Sequence, residues 1–141
     1  MDFLNKNYVF STEIKVRDYE LDCEGIVNNA NYIHYLELTR HEFCEMAGVS
    51  FKRMLELGIV PVASRIEIDY KRPQRSGDTI VSCLWVEQKG VRFIFHQDLY
   101  DKASGAMSVA AVVSIVALEN GTLSRGDYFK EAFNDFLHHD E

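Results

Sequence analysis

Between Pro61 and Gly121 the chain alternates apolar and polar residues with a period of two, and only short turns interrupt the pattern. Ile66, Ile68 and Tyr70 alternate with Glu67, Asp69 and Lys71. Thr79 to Glu87 is rich in strand-forming residues. Val91, Phe93, Phe95, Gln97 and Leu99 alternate with Arg92, Ile94, His96 and Asp98. Ala106 to Glu119 is a continuous Val/Ile/Ala run, apolar enough to predict that neither face is wet. Lys71–Asp78, Gln88–Gly90 and Asp101–Gly105 carry turn residues. Four strands joined this closely predict antiparallel meander pairing.

The preceding half is different. Phe10 to Tyr19 reads as a strand carrying Ile14 and Val16, followed by an acidic turn, Glu20 to Gly25. From about Asn29 to Ala47 the period lengthens to that of a helix, with Ile33, Leu36, Phe43, Cys44 and Ala47 on one broad face. Asn28 or Asn29 is placed to cap its start and Gly48 its end. Ser50 caps a second, short helix, Phe51 to Leu57, stopped at Gly58. The tail from Asp127 spaces Tyr128, Phe129, Ala132, Phe133, Phe136 and Leu137 as a helix docked by aromatics. Arg125-Gly126-Asp127 reads as the start of that helix. One long apolar-faced helix must bury itself against the sheet, which gives an α+β class.

At 141 residues the chain is a single domain, 1–141, large enough to bury a core. Its net charge of −7 disfavours nucleic acid and anionic membranes, which call for a basic face. Cys23, Cys44 and Cys83 are odd in number and widely spaced, with no CxxC pair, so neither a disulfide framework nor a zinc knuckle is expected. Cys23 reads as a small filler rather than a nucleophile. His34 and His41 lie seven apart on the helix without a third ligand nearby, so no metal is expected. Met1–Phe10 has no basic segment followed by an apolar run, and the longest apolar stretch, Ala106–Leu118, is too short for a membrane helix. The expectation is a soluble, cytoplasmic protein.

Two segments are more specific. Asp22-Cys23-Glu24-Gly25-Ile26-Val27-Asn28-Asn29-Ala30-Asn31-Tyr32 resembles the D-x-x-G-[IV]-V-x-x-x-x-Y segment of hotdog-fold thioesterases, in the group of 4-hydroxybenzoyl-CoA thioesterase and the YbgC-like acyl-CoA thioesterases. Ile68 to Asp78 is similar to the strand–Pro–turn–Gly-Asp segment of the same superfamily. The resemblance extends along nearly the whole chain. Val27-Asn28-Asn29 is also similar to part of the plant acyl-ACP thioesterase motif D-x-N-x-H-V-N-N. Here the Asn and His of that motif are replaced by Glu24 and Ile26, so its catalytic set does not carry over.

The resemblance implies a hotdog fold, a long central helix wrapped by a curved antiparallel sheet, with an extra C-terminal helix. It implies a homo-oligomer, a dimer or a dimer of dimers with sites at the dimer interface. It implies an acyl-CoA substrate, no cofactor, and hydrolysis to free acid and CoA. Asp22 matches the family's carboxylate, as general base or as nucleophile. The backbone N–H of Asn29 matches its oxyanion donor. Gly25, Asn28 and Tyr32 would meet the acyl group, and Lys89, Gly90 and Arg92 the phosphates of coenzyme A. Arg72 and Arg75 are a second basic cluster for that role. Glu37 is the alternative catalytic acid, since a second branch of the superfamily uses one in mid-helix. Thioester cleavage asks little of such a site, because the leaving thiol has a pKa of roughly 8–9 and departs without a strong acid. The alternative functions are acyl-ACP hydrolysis, and acyl-CoA binding without turnover. A hydratase is disfavoured, because Val27 occupies the position where that group has a His five residues after its Asp.

Overall fold

The structure is a computed structural model that describes residues 7–139. Helix α1 runs from Asn29–Met46, and the side chain of Asn28 caps it by accepting the Ala30 N–H. Helix α2, Phe51–Leu57, begins where the Ser50 hydroxyl accepts the Arg53 N–H and ends at Gly58, whose φ of 70° closes the turn. Both starts follow the capping chemistry expected of Asn and Ser.

Six strands form one curled antiparallel sheet: β1 (Phe10–Lys15), β2 (Ile59–Tyr70), β3 (Thr79–Lys89), β4 (Arg92–Asp101), β5 (Met107–Glu119) and β6 (Thr122–Leu123). The order is β1-β3-β4-β5-β2, with β6 also paired to β5. The meander therefore holds only for β3, β4 and β5. A two-residue hairpin forces neighbours to pair, and Gly90-Val91 does so between Lys89 and Arg92. The connection Lys71–Asp78 is long enough to carry the chain across the sheet, so β2 pairs with β5 (Ile68 opposite Ala111) instead of β3.

That placement leaves the apolar residues of β2 open: Ile66 and Tyr70 are 38% and 45% exposed. β2 is an edge strand, and Val60 and Val62 on its other face are open as well. β5 also departs from its reading. Val109, Val113 and Ala117 are buried, whereas Ala110, Val112 and Val116 on the opposite face are only half-buried. β1 stops at Lys15, and a 3-10 turn takes over at Asp18–Glu20. Helix α3 is confined to Asp127–Ala132, followed by turns that return Leu137 to β3 beside Val86. The short β6 was not foreseen.

The inner face of the sheet carries the core. Ile80, Leu84 and Val86 of β3, Phe93, Phe95 and Leu99 of β4, and Val109 and Val113 of β5 are almost fully buried. Phe43 of α1 is the hub of an aromatic cluster, with ring centroids 5.1 Å from Phe133, 5.7 Å from Phe136, 6.0 Å from Phe10 and 6.1 Å from Phe95. These edge-on and tilted pairs are preferred aromatic geometries. Gly126 starts α3 with a φ of 82°, and a Cβ there would lie 2.7 Å from the Phe93 ring. Only glycine meets both conditions.

Helix α1 presents an unexpected face to the sheet. Tyr32, Tyr35, Leu36, Thr39 and Phe43 are buried, while Ile33, Cys44 and Ala47 are only partly so. The seam is partly polar, and its polar groups are hydrogen-bonded except the buried Tyr35 hydroxyl, which has no partner among the described residues. Thr39 Oγ1 donates or accepts at 2.6 Å with Ser82 Oγ, and Gln97 Nε2 donates to the Leu36 carbonyl at 3.0 Å. Buried polar groups are tolerated when paired in this way. No helix among the described residues is long and apolar enough to cross a membrane.

Candidate active site

The loop from Glu20 to Asn28 folds back on itself before α1. Asp22 N–H donates to the Ile26 carbonyl at 2.8 Å, and Gly25 N–H donates to the Asp22 carbonyl at 3.1 Å. Gly25 has a φ of 79° and makes the reversal. Its surroundings are open, so it is a turn-maker on the surface. One carboxylate oxygen of Asp22 accepts the Glu24 N–H at 2.8 Å. The loop thus holds the Asp22 carboxylate, half-buried, at the start of the helix.

The amides at that start have a telling distribution. Asn28 N–H donates to the Glu20 carbonyl, Ala30 N–H to Asn28 Oδ1, and Asn31 N–H to the Asn28 carbonyl. Among the described residues the Asn29 N–H has no acceptor. It stands at the positive end of an 18-residue helix. Such a donor is available to a developing negative charge.

Gln74 holds this arrangement together, and sequence reading passed over it. It is 1% exposed between two exposed neighbours. Its carbonyl accepts the Val27 N–H at 2.9 Å, and its own N–H donates to the Tyr32 hydroxyl at 3.0 Å. Its side-chain amide donates to Asp78 and Asp101, and its Oε1 accepts from Ser108. One residue therefore ties the Asp22 loop, α1, β4 and β5 together. Tyr70 adds a second tie, donating to the Asn29 carbonyl at 3.1 Å.

Tyr32 is 3% exposed and packs edge-on against Tyr35 and Tyr70. Burial, with smaller contributions from Tyr70, Asp78 and Asp22, raises its pKa, opposed by the Gln74 N–H. In the single chain it is a packed support for the loop, with its hydroxyl committed to Gln74. Asn28 is exposed and committed to its cap. Cys23 is exposed, so the filler reading is corrected.

Lys89, Gly90 and Arg92 sit at the β3–β4 turn, all exposed, with Lys89 3.5 Å from Glu87. The Asp22 loop meets the other end of β3, where Ile26 bridges Arg75. At ~3.3 Å per residue the strand puts roughly 30 Å between them in one chain. The basic residues beside the loop are instead Arg75, bridged to Ile26, and Arg17, 3.7 Å from Glu20; Arg72 lies three residues before Arg75 and is exposed.

Glu37 lies two turns into α1, its side chain 56% exposed and 3.6 Å from His41. It does not share the Asp22 loop. It lines a cavity of about 340 Å³ bounded by α1, α2, β2 and the aromatic floor of Phe93, Phe95, Phe129 and Phe133. Arg40 and Cys44 line the same cavity. Burial pushes the Cys44 thiol up to about 11 and the Cys83 thiol up to about 12.

Residues 16–137 match the profile of the Thioesterase-like superfamily. YneP of Bacillus subtilis, itself only provisionally named an acyl-CoA thioesterase, is 30% identical over 130 residues, covering 92% of this chain and 93% of that protein. The long-chain acyl-CoA thioesterase FadM of Escherichia coli is 32% identical over 109 residues, covering 77% and 82%. The crystal structure of a DHNA-CoA thioesterase from Staphylococcus aureus superposes with a TM-score of 0.81 over 89% of this chain and 88% of that one, at 20% identity, and so shares the fold. The chain belongs to the thioesterase-like superfamily and has its hotdog fold.

Proposed function

We propose that the protein hydrolyses acyl-CoA thioesters to free acid and CoA, with the Asn29 N–H as oxyanion donor and Asp22 as general base or nucleophile. The observation that carries this reading is the Asn29 N–H, without an acceptor among the described residues at the start of α1, near a carboxylate fixed by its own loop. The thioester carbonyl would accept from Asn29. Asp22 would take a proton from water, or attack the carbonyl carbon to give a mixed anhydride that water then opens. A preorganised backbone donor of this kind contributes about 3 kcal/mol, or ~10²–10³ in rate. Names of the relatives support the acyl-CoA substrate.

A homodimer is the working unit in this reading. The exposed β2 edge, with Val60, Val62, Ile66 and Tyr70, supports it, because a long apolar unpaired edge invites another strand. Pairing there would let the Lys89–Arg92 turn of one copy serve the other's site, which one chain alone does not allow. Three free cysteines support a reducing, cytoplasmic setting.

The test is thiol release from a panel of short, long and aromatic acyl-CoAs and an acyl-ACP. Release from acyl-CoAs is expected. Release from the acyl-ACP alone would change the carrier. Binding without release would leave an acyl-CoA-binding protein. Transfer of labelled oxygen from water into the Asp22 carboxylate under single turnover is the mark of a nucleophilic route in which water opens the anhydride at the Asp22 carbon.

A further inference from the structure

The cavity beneath the C-terminal half of α1 is apolar except for one strip of that helix, where Glu37, Arg40 and His41 reach it. About 340 Å³ is enough for a small ligand. Arg40 is the unusual member. It donates one N–H to Gln97 Oε1 at 3.0 Å, and Gln97 is itself fully buried and fixed by its bond to the Leu36 carbonyl. The guanidinium is therefore held in place rather than trailing into solvent.

No carboxylate among the described residues lies within ion-pair distance of Arg40. Glu37, the nearest on its own helix, turns instead toward His41 at 3.6 Å and is over half exposed. Desolvation lowers the Arg40 pKa, with Glu37 acting the other way. A guanidinium has five donors, and the protein engages one of Arg40's. A charge in apolar surroundings gains most from a planar anion that accepts two of those donors side by side.

We infer that this cavity binds the free carboxylate of an aliphatic fatty acid, paired with Arg40, with the chain among Met54, Phe93, Phe95 and Phe133. One unanswered cation at the edge of an apolar chamber is complementary to an anionic head on an apolar body. A neutral chain leaves the cation unanswered. Eleven residues of helix separate Arg40 from Asn29, about 16 Å of rise, so the carboxylate site is distinct from the oxyanion donor of the same chain. The inference does not depend on hydrolysis by Asp22. Where that hydrolysis occurs, the ligand is chemically the class of its product, and the cavity retains it.

The test is calorimetric titration of the full-length protein with decanoate and with decanol. Decanoate is expected to bind once per chain and at least ten-fold more tightly than decanol. Arg40→Gln is expected to bring the acid down to the level of the alcohol, and Arg40→Lys to keep part of the difference. Asp22→Asn is expected to leave decanoate binding intact, which separates this site from turnover. Equal binding of acid and alcohol by the wild type overturns the inference, and that comparison needs no folded variant. So does an Arg40→Gln protein, folded by circular dichroism, that binds decanoate as before. Failure of either ligand to bind overturns it too, and points to a second copy filling the cavity.

Discussion

Tyr70, the last residue of the edge strand β2, donates its hydroxyl to the carbonyl of Asn29, the first residue of α1, at 3.1 Å. The strand that ends in this contact is the one whose apolar side chains lie open. The helix start it holds carries the Asn29 N–H, which has no acceptor among the described residues. Strand edge and helix start are thus mechanically joined.

Tyr70→Phe removes that bond while keeping the ring against Tyr32. The lost bond is exposed, so stability should fall by only about 0.5–1 kcal/mol. Because the Asn29 amide loses a positioning contact, kcat should fall more than KM changes. Thermal melting and steady-state hydrolysis check the two parts.

The Thr39–Ser82 pair lies fully buried between α1 and β3. Thr39→Val leaves the Ser82 hydroxyl without that partner, which costs about 1–3 kcal/mol. Adding Ser82→Ala removes the orphan and should restore part of the loss. Urea unfolding of the two single variants and the double variant measures the coupling, and strict additivity would contradict it.

Asp101 has a pKa held below the usual carboxylate value, chiefly by the Ser104 hydroxyl, which desolvation opposes and Gln74 and the Ser104 N–H reinforce. A lowered folded pKa adds stability that is fully present above the unfolded value, near 3.8. It is lost as the pH falls through the folded one. Ser104→Ala should therefore melt lower than wild type at neutral pH, by a few degrees at most. The two melting curves should converge in acid, below the folded pKa. Parallel curves down to pH 2 would contradict this.

Cysteine reactivity should divide the three thiols. Cys23 is exposed, whereas burial raises Cys44 to about 11 and Cys83 to about 12. At pH 8 the thiolate fraction of Cys44 is ~10⁻³ and that of Cys83 ~10⁻⁴, so one equivalent of a thiol reagent should react quickly and two only on unfolding. Loss of the fast phase in Cys23→Ser identifies it.

Much of this was legible in the chain. The period-two segments became β2 to β5, and the caps at Asn28 and Ser50 fell where short polar side chains before helical patterns put them. Strand order was not legible, because Lys71–Asp78 looks like a turn whether the chain reverses or crosses the sheet. The buried face of α1 was misjudged because its contacts are tyrosines and Thr39, and the Tyr32 and Thr39 hydroxyls find partners that no periodicity reveals. Gln74 escaped for the same reason. A glutamine in a charged, Pro-containing segment reads as surface, and only the fold converges Asp78, Asp101 and Ser108 on it. Arg40 reads as one more helix cation until Gln97 is placed beneath it.

The measurement that tests the central claim most directly is the kcat of Asp22→Asn against wild type on the best acyl-CoA of the panel, with folding verified by circular dichroism. Asparagine can still accept the Glu24 N–H, so the loop should persist. Loss of a base or nucleophile should lower kcat by about 10²–10⁴-fold with little change in KM. A folded Asp22→Asn protein that hydrolyses at the wild-type rate would contradict the account and move the catalytic acid to Glu37.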